Sequence, residues 1–520
     1  GVNLVNTGIE GLDKHTADDG TWVRQESNTD SWKGSSQDFI DRYNGPASEG
    51  STMLGDDPAI YLFDTSLLVN VFKSNSNVWW QFDKTEQMLT IGVSNTALNS
   101  DVTETFDDLP WLTVLGGATD AEKQEARELV AHVYFTGKVY VLNPMMWFNG
   151  YTNLQSAYVS DMAVSKATSL ASVFAGCTKL ETLNGLSSWD VSKATNLSHA
   201  FDGCIFTDAG DLSTWKDKVG SVTDLSYIFA NNPNVTTLSS LKDWQLMSAV
   251  NFSHAFENCL KLVTLDISGW DMSRATSTTN RENMLFSTEK LGSLTLSDRT
   301  NLADTGLGLS TSATNTRDSY SGTWEASIVT RTQAGTTAEH AWFGTSADLV
   351  RRYSKALGLG DDIVYTWRNG VYGGRIEQPG DNYDELWWKF VKGTDDATGS
   401  NTGTLTMGTD NPNGTNLTLT PATAPWVDVI WHIYGDADQQ AGLSHVTNFV
   451  AQKGTKMPAN LFLSADSLTG LFDAAQGYTG LTKFDGAGFD THNVTSFANM
   501  FKTVSTLEQV TGVDKWITVS

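Results

Sequence analysis

The chain has 520 residues, 40% apolar and 11% aromatic, ample for packed cores, so disorder is set aside for most of its length. Sixty acidic against 34 basic residues leave a net charge of −26, a field that repels nucleic acid and anionic membranes and also keeps an exposed protein soluble. Three cysteines make no disulfide framework, and no stretch approaches the ~20 apolar residues of a membrane-spanning helix.

Residues 1–66 read as a cap-like segment and residues 67–143 as a β-rich lead-in domain. Within the lead-in, residues 78–92 alternate aromatic and β-branched side chains, the pattern of a strand or hairpin. Thr119-Asp120-Ala121-Glu122 has the form of a capping box and predicts a short helix through about Leu129, ahead of a strand-like stretch at 132–142.

Residues 144–300 repeat with a period near 27. Phe148, Phe174, Phe201, Phe229, Phe256 and Phe286 form one column, and Trp189, Trp215, Trp244 and Trp270 another. Three residues after the phenylalanine stand Tyr151, Cys177, Cys204, Asn232 and Cys259. One such unit cannot bury its apolar face alone, so the period predicts stacked copies with a continuous core. The Cys/Asn position is expected to face inward, with the thiols free and structural. The unit containing Phe206-Thr207-Asp208-Ala209-Gly210-Asp211 lacks the usual leucine pair, and a distorted strand is expected there.

A longer repeat encloses the short one. Trp79-Trp80-Gln81-Phe82 returns as Trp387-Trp388-Lys389-Phe390, Leu89-Thr90-Ile91-Gly92 as Leu405-Thr406-Met407-Gly408, and Pro110-Trp111 as Pro425-Trp426. Residues 301–372 therefore read as a second cap, 373–456 as a second lead-in, and 457–520 as the start of a second, truncated solenoid. The Gly/Thr/Asn-rich segment 395–416 reads as an exposed loop. No signal peptide opens the chain and no sorting signal closes it. It reads as a piece of something longer.

The fold class expected is thus a β-rich, leucine-rich-repeat-like solenoid with small β or α+β caps and lead-ins in tandem. Trp189 to Cys204 and Phe489 to Phe501 resemble the BspA-type leucine-rich-repeat surface proteins. The lead-in, with its W-x-F, L-T-I-G and P-W segments, is similar too. The resemblance implies a secreted or wall-attached bacterial protein that adheres to host or microbial surfaces, and the partner expected is a host extracellular protein or a surface glycan.

No motif for catalysis, phosphate or metal binding occurs. No catalytic residue, metal site or cofactor is therefore assigned, and neither nucleic-acid binding nor membrane insertion is expected. Asp107-Asp108 and Asp361-Asp362 read as solvated carboxylates. His199 and His254 share a repeat position but lie two units apart, about 10 Å, too far to share a metal. The column tryptophans read as core, whereas Trp111, Trp147, Trp342 and Trp431 lie outside the column and read as less constrained.

Two residues before each phenylalanine stand Ser172, His199, Tyr227 and His254, a position whose chemistry varies while its neighbours do not. Variable positions in stacked repeats face outward. His199, Tyr227 and His254 are therefore the candidate ligand-binding residues. The competing functions are a non-binding wall spacer and an accessory region of a polysaccharide hydrolase.

Overall fold

The alternation at 78–92 builds two neighbouring strands of a six-stranded sheet. The computed structural model describes residues 21–25, 33–34, 60–64, 67–311, 322–333, 336–354, 362–376, 386–393, 403–410, 415–416, 424–434, 439–452, 455–456, 472–491, 498–514 and 516. The chain divides into two compact units, residues 1–262 with 269–284 and residues 263–268 with 285–520.

In the first unit, β1 (Leu67–Val71), β2 (Val78–Asp83) and β3 (Met88–Val93) pair antiparallel. Trp80, Phe82, Leu89 and Ile91 take the buried face, as a period of two requires. A short β4 (Asp101–Val102) follows, then α1 (Pro110–Leu115) and α2 (Asp120–Leu129). Thr119 caps α2: its hydroxyl accepts from the Glu122 N–H at 3.3 Å, while its own N–H donates to the Glu122 carboxylate at 2.9 Å. Parallel strands need a crossover. The two helices supply it between β3 and β5 (His132–Thr136).

From β5 onward the sheet is parallel, through β7 (Ser156–Tyr158) to β9 (Thr182–Asn184). The shorter β6 (Val139–Val141) joins β4 to β8 (Met162–Ala163) in a second parallel sheet.

The 27-residue units stack one hydrogen-bonded rung apart. The N–H groups of Phe148, Phe174, Phe201 and Phe229 donate, each at 3.0 Å, to Val173, Ala200, Ile228 and Ala255, the residues just before the next column phenylalanine. Their rings, with Phe256, stack at centroid distances of 5.3, 6.3, 5.4 and 6.2 Å. Trp189, Trp215, Trp244 and Trp270 form a second buried stack at 6.2, 5.6 and 6.5 Å. Each indole N–H donates to a backbone carbonyl of the preceding unit.

The Phe256 N–H donates to Met284, which makes Leu285 the next column residue. Leu285 is buried and Phe286 only half-buried, so the column expected at Phe286 is displaced by one. The hydrogen-bonded rung, not the residue type, sets the register there. The strand of this sheet is absent where Phe206 to Asp211 stand, and Phe206 instead packs edge-on to Phe201 at 6.3 Å.

The three cysteines are buried and free. Cys177, Cys204 and Cys259 donate to the carbonyls of Phe148, Phe174 and Phe229. Asn232, in the same position, donates to Phe201, Phe229 and Ala230. Burial pushes the thiols of Cys177 and Cys204 far above their ordinary range and that of Cys259 up to about 12. Only the thiolate is nucleophilic. A thiol-labelling reagent at pH 8 should therefore modify no cysteine of the folded chain over minutes, and all three once it is unfolded. Fast labelling of the native protein would place a thiol at the surface.

The second unit opens with β10 (Thr264–Asp266) and β11 (Ser293–Leu296), parallel neighbours. Next come β12 (Gly322–Gln333), β13 (Thr336–Gly344), α3 (Ser346–Arg352) and β14 (Ile363–Asn369). β14 pairs antiparallel with β11, which covers the edge of that parallel pair. β15 (Tyr372–Arg375), β16 (Leu386–Lys392) and β17 (Gly403–Thr409) form an antiparallel meander.

β17 corrects the loop expected over 395–416. Leu405 and Met407 are buried within a central strand, because alternate threonines and glycines leave an apolar face that the composition of the segment hides. Residues 395–402 and 411–414 lie outside the described residues.

The register of the first unit recurs. Trp79 faces Gly92 and Trp80 faces Ile91, as Trp387 faces Gly408 and Trp388 faces Met407. In both pairs an indole lies across the glycine: a Cβ on Gly92 would meet Trp79 at 2.5 Å, and one on Gly408 would meet Trp387 at 2.4 Å. β18 (Thr415–Asn416), α4 (Trp426–Tyr434), α5 (Gln439–Leu443), β19 (Val446–Ala451), β20 (Thr455–Lys456), β21 (Lys483–Asp485), β22 (Phe489–Asp490) and β23 (Gln509–Thr511) complete the unit. β17, β19, β21 and β23 run parallel in order, and β18, β20 and β22 make the companion small sheet.

The tryptophans outside the column are not loosely held. Trp111 is fully buried and donates to the Tyr151 hydroxyl at 2.8 Å, exactly as Trp426 donates to that of Tyr478 at 2.7 Å. Trp147 is buried and donates to the Glu104 carbonyl, and Trp342 is buried beneath the Arg375 guanidinium, 5.2 Å from its ring. These rings fill the layer between helix and sheet, which no local period reveals. The side chain of Trp431 lies outside the described residues.

Candidate ligand-binding face

The stripe position has an unusual backbone. Met146, Ser172, His199, Tyr227, His254 and Asn283 all have positive φ, between 54° and 62°. Asn499 repeats it in the second unit at 60°. The left-handed turn is thus a property of the repeat. Glycine or asparagine adopts it most readily and histidine more readily than most side chains, whereas a tyrosine does so at a cost of about 1 kcal/mol or more. Four residues further on comes a second left-handed position, where glycine stands at Gly150, Gly176 and Gly203 and asparagine at Asn231 and Asn258. Tyr227 at the first position is therefore not the conformationally easy choice.

Backbone hydrogen bonds fix the spacing of these residues. The His199 N–H donates to Ser226 at 2.8 Å and the Tyr227 N–H to Ser253 at 2.9 Å, each the residue before the next stripe position. The three rings therefore lie one rung apart and stack face to face. Their centroid separations are 4.4 Å for His199–Tyr227 and 4.2 Å for Tyr227–His254, both 8° from parallel. All three are half-buried.

Each imidazole is oriented by a carboxylate of its own unit. His199 Nδ1 lies 2.8 Å from Asp202 Oδ2, and His254 Nδ1 lies 2.7 Å from Glu257 Oε2. A carboxylate only accepts, so Nδ1 carries a proton and donates it in each pair. Neither acid was among the residues singled out from the sequence. The signal was present as a repeated tetrapeptide, His199-Ala-Phe-Asp202 and His254-Ala-Phe-Glu257.

Burial, with Glu257, Asp202 and Glu282 nearby, pushes the Tyr227 phenol above its ordinary value. At neutral pH it is a hydroxyl that can donate as well as accept. A polar border runs alongside: Asn258 Nδ2 donates to Asn231 Oδ1 at 2.8 Å, and Asn231 Nδ2 donates to Asp202 Oδ1 at 2.9 Å. The face thus combines flat apolar rings with fixed donors and acceptors. Ser172 and Asn283 extend the row but add no ring.

Among the described residues no group of three or more His, Cys, Asp or Glu is placed to hold a metal, and no helix is long and apolar enough to cross a membrane. No curated protein and no solved structure matches the chain. Residues 133–216, 168–297 and 465–520, which hold the stacked units of both halves, are similar to the family described as Mycoplasma protein of unknown function, DUF285.

Proposed function

We propose that this chain is a non-catalytic, extracellular, cell-wall-associated adhesin. In this reading its stacked units form a leucine-rich-repeat-like solenoid that presents a binding face to a host or microbial protein or glycan. The observation that carries the reading is the His199–Tyr227–His254 stack. Three aromatic side chains occupy a backbone position that would suit glycine or asparagine better, and two of them are held by dedicated carboxylates. Such strain and orientation have no use in the core, which the Phe and Trp columns already fill. The acidic surface suits an exposed protein and disfavours anionic partners.

The test is binding of the chain to arrays of soluble extracellular proteins and glycans, alongside the variant H199A/Y227A/H254A. The variant is expected to keep the fold and to lose roughly tenfold or more in affinity, since central aromatic anchors dominate such faces. Unchanged affinity in a folded variant would remove this face from the adhesin reading.

A further inference from the structure

We propose that the outer face of the first unit's six-stranded sheet is a separate binding site that takes a neutral polysaccharide. This site does not depend on the His199 face.

The strand register sets Gln81, Thr90, Tyr134, Tyr158 and Asn184 side by side in one row across five strands. The rows on either side, through Trp80–Ile91–Phe135 and Phe82–Leu89–Val133–Ala157–Leu183, are buried, so this row faces outward. Tyr134 is 45% exposed and Tyr158 42%, and their rings sit 6.2 Å apart, tilted by 54°. On the same face the Trp79 ring closes over Gly92, where a Cβ would meet it at 2.5 Å, and His132 bonds the Ser156 hydroxyl at 2.8 Å.

Two exposed tyrosines on a sheet have a bland explanation, since cross-strand aromatic pairs stabilise sheets modestly. The chain itself argues against it. The second unit has the same scaffold in the same register, and there Thr406 is followed across the sheet by Val450 and Asp485 where the first has Tyr134 and Tyr158. The indole equivalent to Trp79, Trp387, is buried against Phe343 at 5.1 Å. The scaffold therefore forms without the tyrosines, and among the described residues of this sheet position only the first unit shows an open aromatic platform.

Charge and shape select the occupant. From Gln81 to Asn184 the row carries no charged side chain, in a chain of net charge −26. It offers amides and hydroxyls beside two phenol rings. The C–H faces of a pyranose pack on such rings while its hydroxyls bond the amides. Four inter-strand steps at about 4.8 Å make the row roughly 19 Å long and narrow, which fits an extended polymer.

The test is native affinity electrophoresis of the whole chain in gels containing hydroxyethylcellulose, laminarin, mannan or galactomannan, with dextran sulfate as the charged comparison. At least one neutral gel should retard the chain and dextran sulfate should not. The variant Y134V/Y158D borrows the second unit's residues and so should fold, as checked by its melting curve, and its apparent affinity should fall roughly tenfold or more. Absence of retardation in every neutral gel, retardation undiminished in the folded variant, or retardation by dextran sulfate alone would each overturn the proposal.

Discussion

Replacing Trp244 with alanine is expected to lower the stability of the first unit by roughly 3–5 kcal/mol, the cost of a large truncation in a packed core. Trp244 is fully buried between Trp215 at 5.6 Å and Trp270 at 6.5 Å. Its Nε1 donates to the Leu212 carbonyl at 3.2 Å, an acceptor that alanine would leave without that partner. Each stacked unit draws stability from its neighbours, so a cavity in the middle of the column also weakens the contacts on both sides. Denaturant unfolding followed by circular dichroism checks this. W244F, which keeps a ring and loses the N–H, should cost markedly less. An unchanged midpoint for W244A would mean that the ring does not bridge the units.

A loss of similar size, roughly 3–5 kcal/mol, is expected in the second unit for Arg375→Met. The Arg375 side chain is fully buried. It forms an ion pair with Asp410, donates through Nε to the Phe343 carbonyl at 3.0 Å, and lies over the Trp342 and Phe343 rings. Its backbone N–H donates at 3.0 Å to Asp348, a buried carboxylate that also caps α3 through Thr345. Methionine fills much of the volume and cannot answer the Asp410 charge. The double variant R375M/D410L removes both charges and should recover much of the loss, because an uncompensated buried charge costs more than an apolar pair. Unfolding must be read from the second unit's own transition, since a chain of two units need not unfold in one step. A single variant within about 0.5 kcal/mol of the parent would show that the pair is solvated in solution.

The parts of this protein that could be read from residues alone are those governed by short-range repetition. The Phe, Trp and Cys/Asn columns recur because every unit must offer the same inner surface to its neighbour, and self-similarity shows that directly. The Thr119–Glu122 box and the 78–92 hairpin were legible for the same reason: caps and pleats act over a few residues. Even the asparagine at 232 could be placed, since a buried position that elsewhere donates a thiol to a carbonyl can be served by an amide.

What escaped the sequence depends on contacts distant along the chain. Trp111, Trp147 and Trp342 belong to no column, and their burial comes from helices and strands that close over them. The segment 403–409 is polar in composition, and pairing between two apolar neighbours makes it a central strand. Leu285 replaced Phe286 in its column because a hydrogen-bond rung, not residue type, sets the register. The outward stripe was found by its variability, but its chemistry was not: stacking at 4.2–4.4 Å and the carboxylates on His199 and His254 arise only when neighbouring units are brought one rung apart. Period and composition act locally and survive in the sequence. Ring contacts, ion pairs and strand neighbours are set by packing in three dimensions.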